Sequence, residues 1–180
     1  MKFEFASLSL REYSFGHAHE YVEMFLYSVI VFSLPFILGH EQLLVGATVN
    51  CALVLAALNL RGKSLLPVIL LPSIGVIAAG AVFGSLSSAL VYMVPFIWIG
   101  NAILVLSVKE IVIGRRNNRV AALLFGAGAK SLFLFAAAFA LFSLNVLPAA
   151  FLTAMGVFQL ITAVIGGTAA MGIQEVKRRI

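Results

Sequence analysis

Charge is scarce in this chain: of 180 residues only 11% are Asp, Glu, Lys or Arg, while 62% are hydrophobic. Soluble globular chains average about 25% charged and about 45–50% apolar residues. A water-soluble domain of this length would need a polar surface that so few charges cannot build, so that class is excluded. Cysteine is nearly absent too. The one thiol, Cys51, cannot close an internal disulfide and cannot by itself hold an iron–sulfur cluster, which takes about four thiolates. No cleavable signal peptide is expected. The first residues mix Lys2, Glu4, Arg11, Glu12, His17, His19 and Glu20, and no small-residue cleavage pattern follows the first apolar run. Catalytic signatures are missing as well: no hydrolase elbow, HExxH pair, phosphate-binding Gly-rich loop or dinucleotide fingerprint occurs. His17, His19 and His40 all lie outside the apolar runs, which leaves a serine-type intramembrane catalyst without its base. The chain is therefore read as a non-enzyme that needs no cofactor.

What is present is long apolar sequence. Runs bounded by polar or turn residues fall at 21–38, 43–60, 64–82, 86–108, 120–142 and 147–171. A helix crosses the hydrocarbon core with about 20 residues at 1.5 Å each. Lipid offers no partner for free backbone groups, and the short alternation of barrel strands is missing, so each run is read as a helix. The expected fold class is an all-α membrane protein, a six-transmembrane-helix bundle forming one domain over residues 21–180. Residues 1–20 are read as a juxtamembrane segment in which Phe3, Phe5, Leu8 and Leu10 alternate with polar residues along the headgroup layer.

The connections alternate in charge. Those containing His40, Glu41 and Gln42, Gly84 and Ser85, and Ser143 to Asn145 carry no Lys or Arg. The N-terminal segment, Arg61 with Lys63, residues 109–119 and the tail Lys177, Arg178 and Arg179 hold eleven of the twelve basic residues. Six spans place all four basic segments on one side. Basic residues stay in the cytoplasm, so both termini are expected there, in a multi-pass protein of the cell membrane. The net charge of +5 is then a loop asymmetry and not a nucleic-acid surface.

All five prolines lie within or at the edge of a run, and Pro67 and Pro72 are expected to bend the third helix. Small residues four apart, at Gly75/Ala79, Gly80/Gly84, Ala122/Gly126 and Gly166/Ala170, favour close helix contacts or are generic bundle packing.

The twelfth basic residue is Lys130. If its helix starts near Val120, it lies near the midplane with no acidic residue in any mid-span position. Its ammonium would then be neutral, be held by polar neighbours, or meet an anionic ligand. If the helix starts near Ser131, Lys130 instead snorkels to the interface. Asn50, Asn101 and Gln159 are amides inside the second, fourth and sixth runs, acting as interhelical glue or as ligand contacts. Tyr92 and Trp98 could wall a cavity beside Asn101. The loop of His40, Glu41 and Gln42 either caps an outward-opening site or is a solvated turn. His17, His19, Glu20 and Glu23 have ligand-like spacing but are read as solvated interface, with no metal site.

Taken together, His40 and Gln42 with Gly46, Val49 and Asn50, then Leu71, Pro72, Ser73 and Gly80, form one group of features. Pro95 to Ile97 with Gly100 and Asn101, Lys130, and Gln159 to Ala163 with Gly166 and Gly167 form another. In this pattern the whole chain resembles the substrate-capture (S) components of energy-coupling-factor transporters, and more narrowly a small family of that type sometimes labelled "iron hydrogenase". The resemblance implies six helices, cytoplasmic termini and capture of a vitamin-like nutrient under the outer loops. It implicates Lys130, Asn50, Asn101, Gln159, His40 and Gln42 in substrate binding. The chain departs from the pattern on the first helix, where Ser28 and Ser33 are the only small residues in place of an alanine-rich motif that docks on a shared coupling subunit. The expected function is the substrate-binding subunit of an uptake transporter for a small, anionic or amide-rich molecule. Its partners would be that substrate, membrane lipid, and a transmembrane coupling subunit with ATPases, since this chain has no nucleotide motif. The alternatives are a non-catalytic membrane anchor or assembly subunit of a larger complex, and an intramembrane enzyme or metal handler built on the His17–Glu23 region.

Overall fold

The computed structural model describes residues 17–39, 41–80, 82, 84–114 and 118–179. Residues 1–16, including Phe3, Phe5, Leu8 and Leu10 of the expected interfacial segment, lie outside the described residues. The helices are α1 (His17–Leu38), α2 (Gln42–Asn59), α3 (Leu66–Ala79), α4 (Ser87–Leu90), α5 (Val94–Val108), α6 (Arg119–Ser143), α7 (Ala150–Met155) and α8 (Val157–Lys177), and the described residues contain no strand. They make six spans long and apolar enough to cross a membrane. Two of these are composite: Ser87–Gly114 joins α4 and α5, and Ala150–Lys177 joins α7 and α8.

Proline positions explain two of the local departures from α-helix. Pro67 has no N–H for the carbonyl of Lys63, which instead accepts from Leu66 N, three residues on, and closes the 3-10 turn Gly62–Leu65. Pro95 does the same to Val91, whose carbonyl takes Val94 N and closes the 3-10 turn Val91–Met93. Pro72 lies inside α3, and the carbonyls just before it are served by side chains of α5. Asn101 Nδ2 donates to Ile69 O at 3.0 Å, and Trp98 Nε1 donates to Leu70 O at 3.1 Å.

α2 is the most buried span and the axis of the bundle. α8 crosses it closely because Gly166 has no side chain: a Cβ there would sit 2.1 Å from Ala47 O. Gly75 opens a similar approach of α3 to α1, where a Cβ would lie 2.5 Å from Phe32 O. The expected pair Gly80/Gly84 is corrected. Gly80 is the left-handed C-cap of α3 at φ 65°, and a Cβ at either glycine would meet nothing within 4 Å, so these residues serve turns and not packing. α1 is peripheral and turns Tyr21, Phe25 and Ile37 outward, as a lipid-facing helix does.

At the Arg61 end of the bundle two sequence expectations are overturned. The fourth run does not stop at Val108 but continues through a π-helical turn, Lys109–Gly114. Lys109 is therefore not part of a solvated basic loop: it is 0% exposed and its Nζ donates to Ala57 O at 3.0 Å and Leu60 O at 2.6 Å. Its long stem carries the ammonium to the carbonyls left open at the C-terminus of α2, where a positive charge is favoured. The His19–Glu23 region is not a solvated face either, since Glu20 and Glu23 are both buried. Glu20 accepts from Arg61 N and Arg61 Nε, each at 3.0 Å. Glu23 takes His19 Nε2 at 3.0 Å, the Tyr27 hydroxyl at 3.1 Å, and Lys177 Nζ. Asn59 and Gln174 pair amide to amide, at 3.1 and 2.9 Å, and tie α2 to α8. Carboxylates placed one turn apart at a helix start look solvent-facing in sequence; basic groups from α8 and from the residue after α2 bury them.

Candidate functional site

A cleft of about 80 Å³ reaches into the opposite end of the bundle, from Gln42 at the start of α2 to Lys130 midway along α6. Its polar lining is Gln42, Asn50, Ser73, Asn101, Lys130 and Gln159. Five of the six residues expected to bind substrate thus come together; the sixth, His40, lies outside the described residues.

Lys130 is the centre. α6 begins at Arg119, not near Ser131, so the snorkelling alternative does not occur and the side chain is 2% exposed. Its Nζ donates to Asn50 Oδ1 at 2.7 Å and to Asn101 Oδ1 at 2.8 Å. Each amide is oriented by what its nitrogen must do. Asn50 Nδ2 donates to Gly46 O at 2.9 Å and Thr162 Oγ1 at 3.1 Å, and Asn101 Nδ2 to Ile69 O at 3.0 Å. With the nitrogens occupied, both oxygens face the lysine. Lys130 therefore links α6 to α2 and α8 through Asn50 and Thr162, and to α5 and α3 through Asn101 and Ile69.

An ammonium has three N–H donors. Two of those on Lys130 are used, and the third meets no protein acceptor among the described residues. No carboxylate contacts it there, so in the protonated form the charge is solvated by amide dipoles alone. Buried cations without a counter-ion are rare because removing the charge from water is costly, and the polar residues that do occur inside membrane spans mark substrate and ion paths. Gln42 and Gln159 line the cleft half-buried, and their side-chain amides make no hydrogen bond among the described residues.

The sixth expected span is broken at this site. Gly156, at φ −97° and ψ −94°, separates α7 from α8, and its carbonyl accepts the Ser131 hydroxyl at 2.6 Å. Met155 and Gln159, on either side of the break, both line the cleft. Nothing in the apolar run 147–171 marks the break except the glycine itself.

Two residues that the sequence analysis gave only as part of the resemblance, and not as substrate contacts, shape the site. Thr162 bonds Asn50 and, one turn from Gly166, faces α2; its spacing from Gln159 and Gly166 is the signal that was available. Ser73 accepts from Trp98 Nε1 at 2.8 Å and donates to Leu70 O at 3.0 Å. Trp98 therefore supports the cleft wall from behind, while Tyr92 is exposed and is not part of it.

Among the described residues the fold and this site define an all-helical protein with six apolar spans, five of them tied together through a buried, amide-held lysine. No protein-family model, curated protein or solved structure matches the chain.

Proposed function

We propose that this protein is the substrate-binding membrane subunit of an uptake transporter, a multi-pass protein of the cell membrane with both termini in the cytoplasm. The observation that carries the reading is Lys130, buried at the floor of a cleft and, among the described residues, held by two amides with one ammonium donor still open. A cavity that ends on a cation without a counter-ion suits capture of a small polar or anionic solute. The resemblance to the S components of energy-coupling-factor transporters agrees with it. Movement would be powered by a coupling subunit and ATPases, because this sequence has no nucleotide-binding motif. The orientation rests on charge. Arg61, Lys63, Lys109, Arg119 and Lys177 sit at one end of the bundle, and the cleft opens at the other.

Native mass spectrometry of the gently purified protein should find a small molecule at one per chain, and cells lacking the protein should lose its uptake. A ligand-free protein whose loss leaves small-solute uptake intact would turn the reading toward an anchor subunit.

Topology has its own test. In a Cys51→Ser background, a membrane-impermeant thiol reagent should label a cysteine placed at Leu144 in intact cells, and one at Lys63 only after lysis. Both positions are exposed in the structure. Labelling at Lys63 from outside would reverse the orientation.

A further inference from the structure

The cleft's dimensions and chemistry narrow what it can hold. At about 80 Å³ it is roughly half of a 150 Å³ apolar cavity that accepts benzene, and well below the roughly 300 Å³ at which drug-sized sites begin. By that comparison the enclosed part of the cleft holds about three to four non-hydrogen atoms, and a short tail can extend toward its mouth. One end of the ligand must answer the open N–H of Lys130 with negative charge, since no carboxylate of the described residues does so. Much of the remaining wall is hydrocarbon, from Val45, Val49, Val76, Val82 and Ile97, with Gln42, Ser73 and Gln159 as the polar groups among them.

The donor count separates kinds of anion. A tetrahedral oxyanion such as sulfate or phosphate presents oxygens on all sides and is held by arginine forks or stacked backbone N–H groups. Among the described residues no arginine lines this cleft; it offers one ammonium N–H and the amides of Gln42 and Gln159. A carboxylate has only two oxygens, both at one end, and leaves an apolar tail for the valines.

We propose that the cleft binds a short-chain monocarboxylate, its carboxylate on Lys130 and a tail of about one to three carbons against the valine wall. This rests on the substrate-binding reading and names the substrate class for it. The lone charge and the apolar walls then have one explanation. The ligand supplies the counter-ion that the bundle withholds, and its tail packs against the valines.

Trp98 is the only tryptophan and bonds the cleft residue Ser73, so its fluorescence reports on the site. The full-length protein in nanodiscs is titrated at constant ionic strength with sodium propionate, propionamide, sodium sulfate and sodium octanoate. Fluorescence and melting temperature are read in parallel. Propionate should saturate and raise the melting temperature. Propionamide, which has the shape without the charge, sulfate and octanoate should each bind at least tenfold more weakly. Asn50→Asp places a carboxylate on Lys130 from within. The Thr162 hydroxyl can turn to donate to it, but the second oxygen then faces Gly46 O, so the variant should melt a few degrees below wild type, still cooperatively, and lose at least tenfold in propionate affinity. Equal binding of propionamide, sulfate or octanoate overturns the proposal, as does an Asn50→Asp variant that melts cooperatively and still binds propionate fully. If propionate changes neither signal while a larger molecule co-purifies in the cleft, this inference falls and the transport reading stands. If nothing binds and no molecule co-purifies, both fall.

Discussion

Lys130→Met is expected to weaken ligand binding by two to four orders of magnitude while the bundle stays assembled. Breaking a buried charge pair by removing one partner typically costs about 3–5 kcal/mol, which is that range of affinity. The folded state responds differently. Methionine fills a similar volume and removes the burden of keeping an ammonium out of water. Against this, Asn50 Oδ1 and Asn101 Oδ1 each lose their donor, at about 1–3 kcal/mol apiece. These opposing effects are of similar size, so the melting temperature should move by only a few degrees. Lys130→Arg keeps the charge but not the fit. A planar guanidinium cannot occupy the compact position between two amide oxygens at 2.7 and 2.8 Å, so affinity should fall at least tenfold here too. The measurement is ligand affinity and melting temperature for both variants side by side. Wild-type affinity in the Met variant would remove Lys130 from the site and leave Asn50, Asn101 and Gln159 as its candidates.

Gly166→Ala should have the largest effect on stability of the glycine-to-alanine changes at described residues, a loss of about 3 kcal/mol or more. The new Cβ would lie 2.1 Å from Ala47 O and 2.7 Å from Cys51 N, both of them backbone atoms of α2 that no rotamer change can move aside. The α2–α8 crossing would have to open, and with it the bonds Asn50–Thr162 and Asn59–Gln174 that span the same pair of helices. Gly172→Ala, on the same helix, is the control. Nothing lies within 4 Å of its Cβ, so it should be neutral or stabilise by about 0.5–1 kcal/mol through the better helix propensity of alanine. Thermal melting in one detergent compares them directly. Equal melting temperatures for the two variants would mean that the crossing is not close-packed.

The two variants also show where sequence and structure divide. Gly166 and Ala170 were visible as a small-residue pair, yet so were Gly80 and Gly84. Spacing alone cannot tell a helix crossing from a C-cap, because the difference lies in which backbone the glycine meets. Lys130 was conspicuous because a lone basic residue in an apolar run has no ordinary explanation. Lys109 was not, because it sits among the basic residues of an expected loop. Only the π-helical turn, which carries it inward over the end of α2, distinguishes it.

Composition and patterning by themselves determined the class of the protein and its six apolar spans, since length and hydropathy of a run decide whether it can live in hydrocarbon and both are local properties. They also singled out the lysine and the amides, since polar groups inside such runs stand out against their neighbours. Tertiary structure alone decided that Asn50, Asn101 and Lys130 meet, that their amide oxygens face the lysine, and that Glu20 and Glu23 are buried by Arg61 and Lys177. Those outcomes depend on how each helix is rotated and how closely it approaches the next. Rotation and approach are set by contacts between residues as far apart as Asn50 and Thr162, or Ala47 and Gly166, which no window along the chain contains.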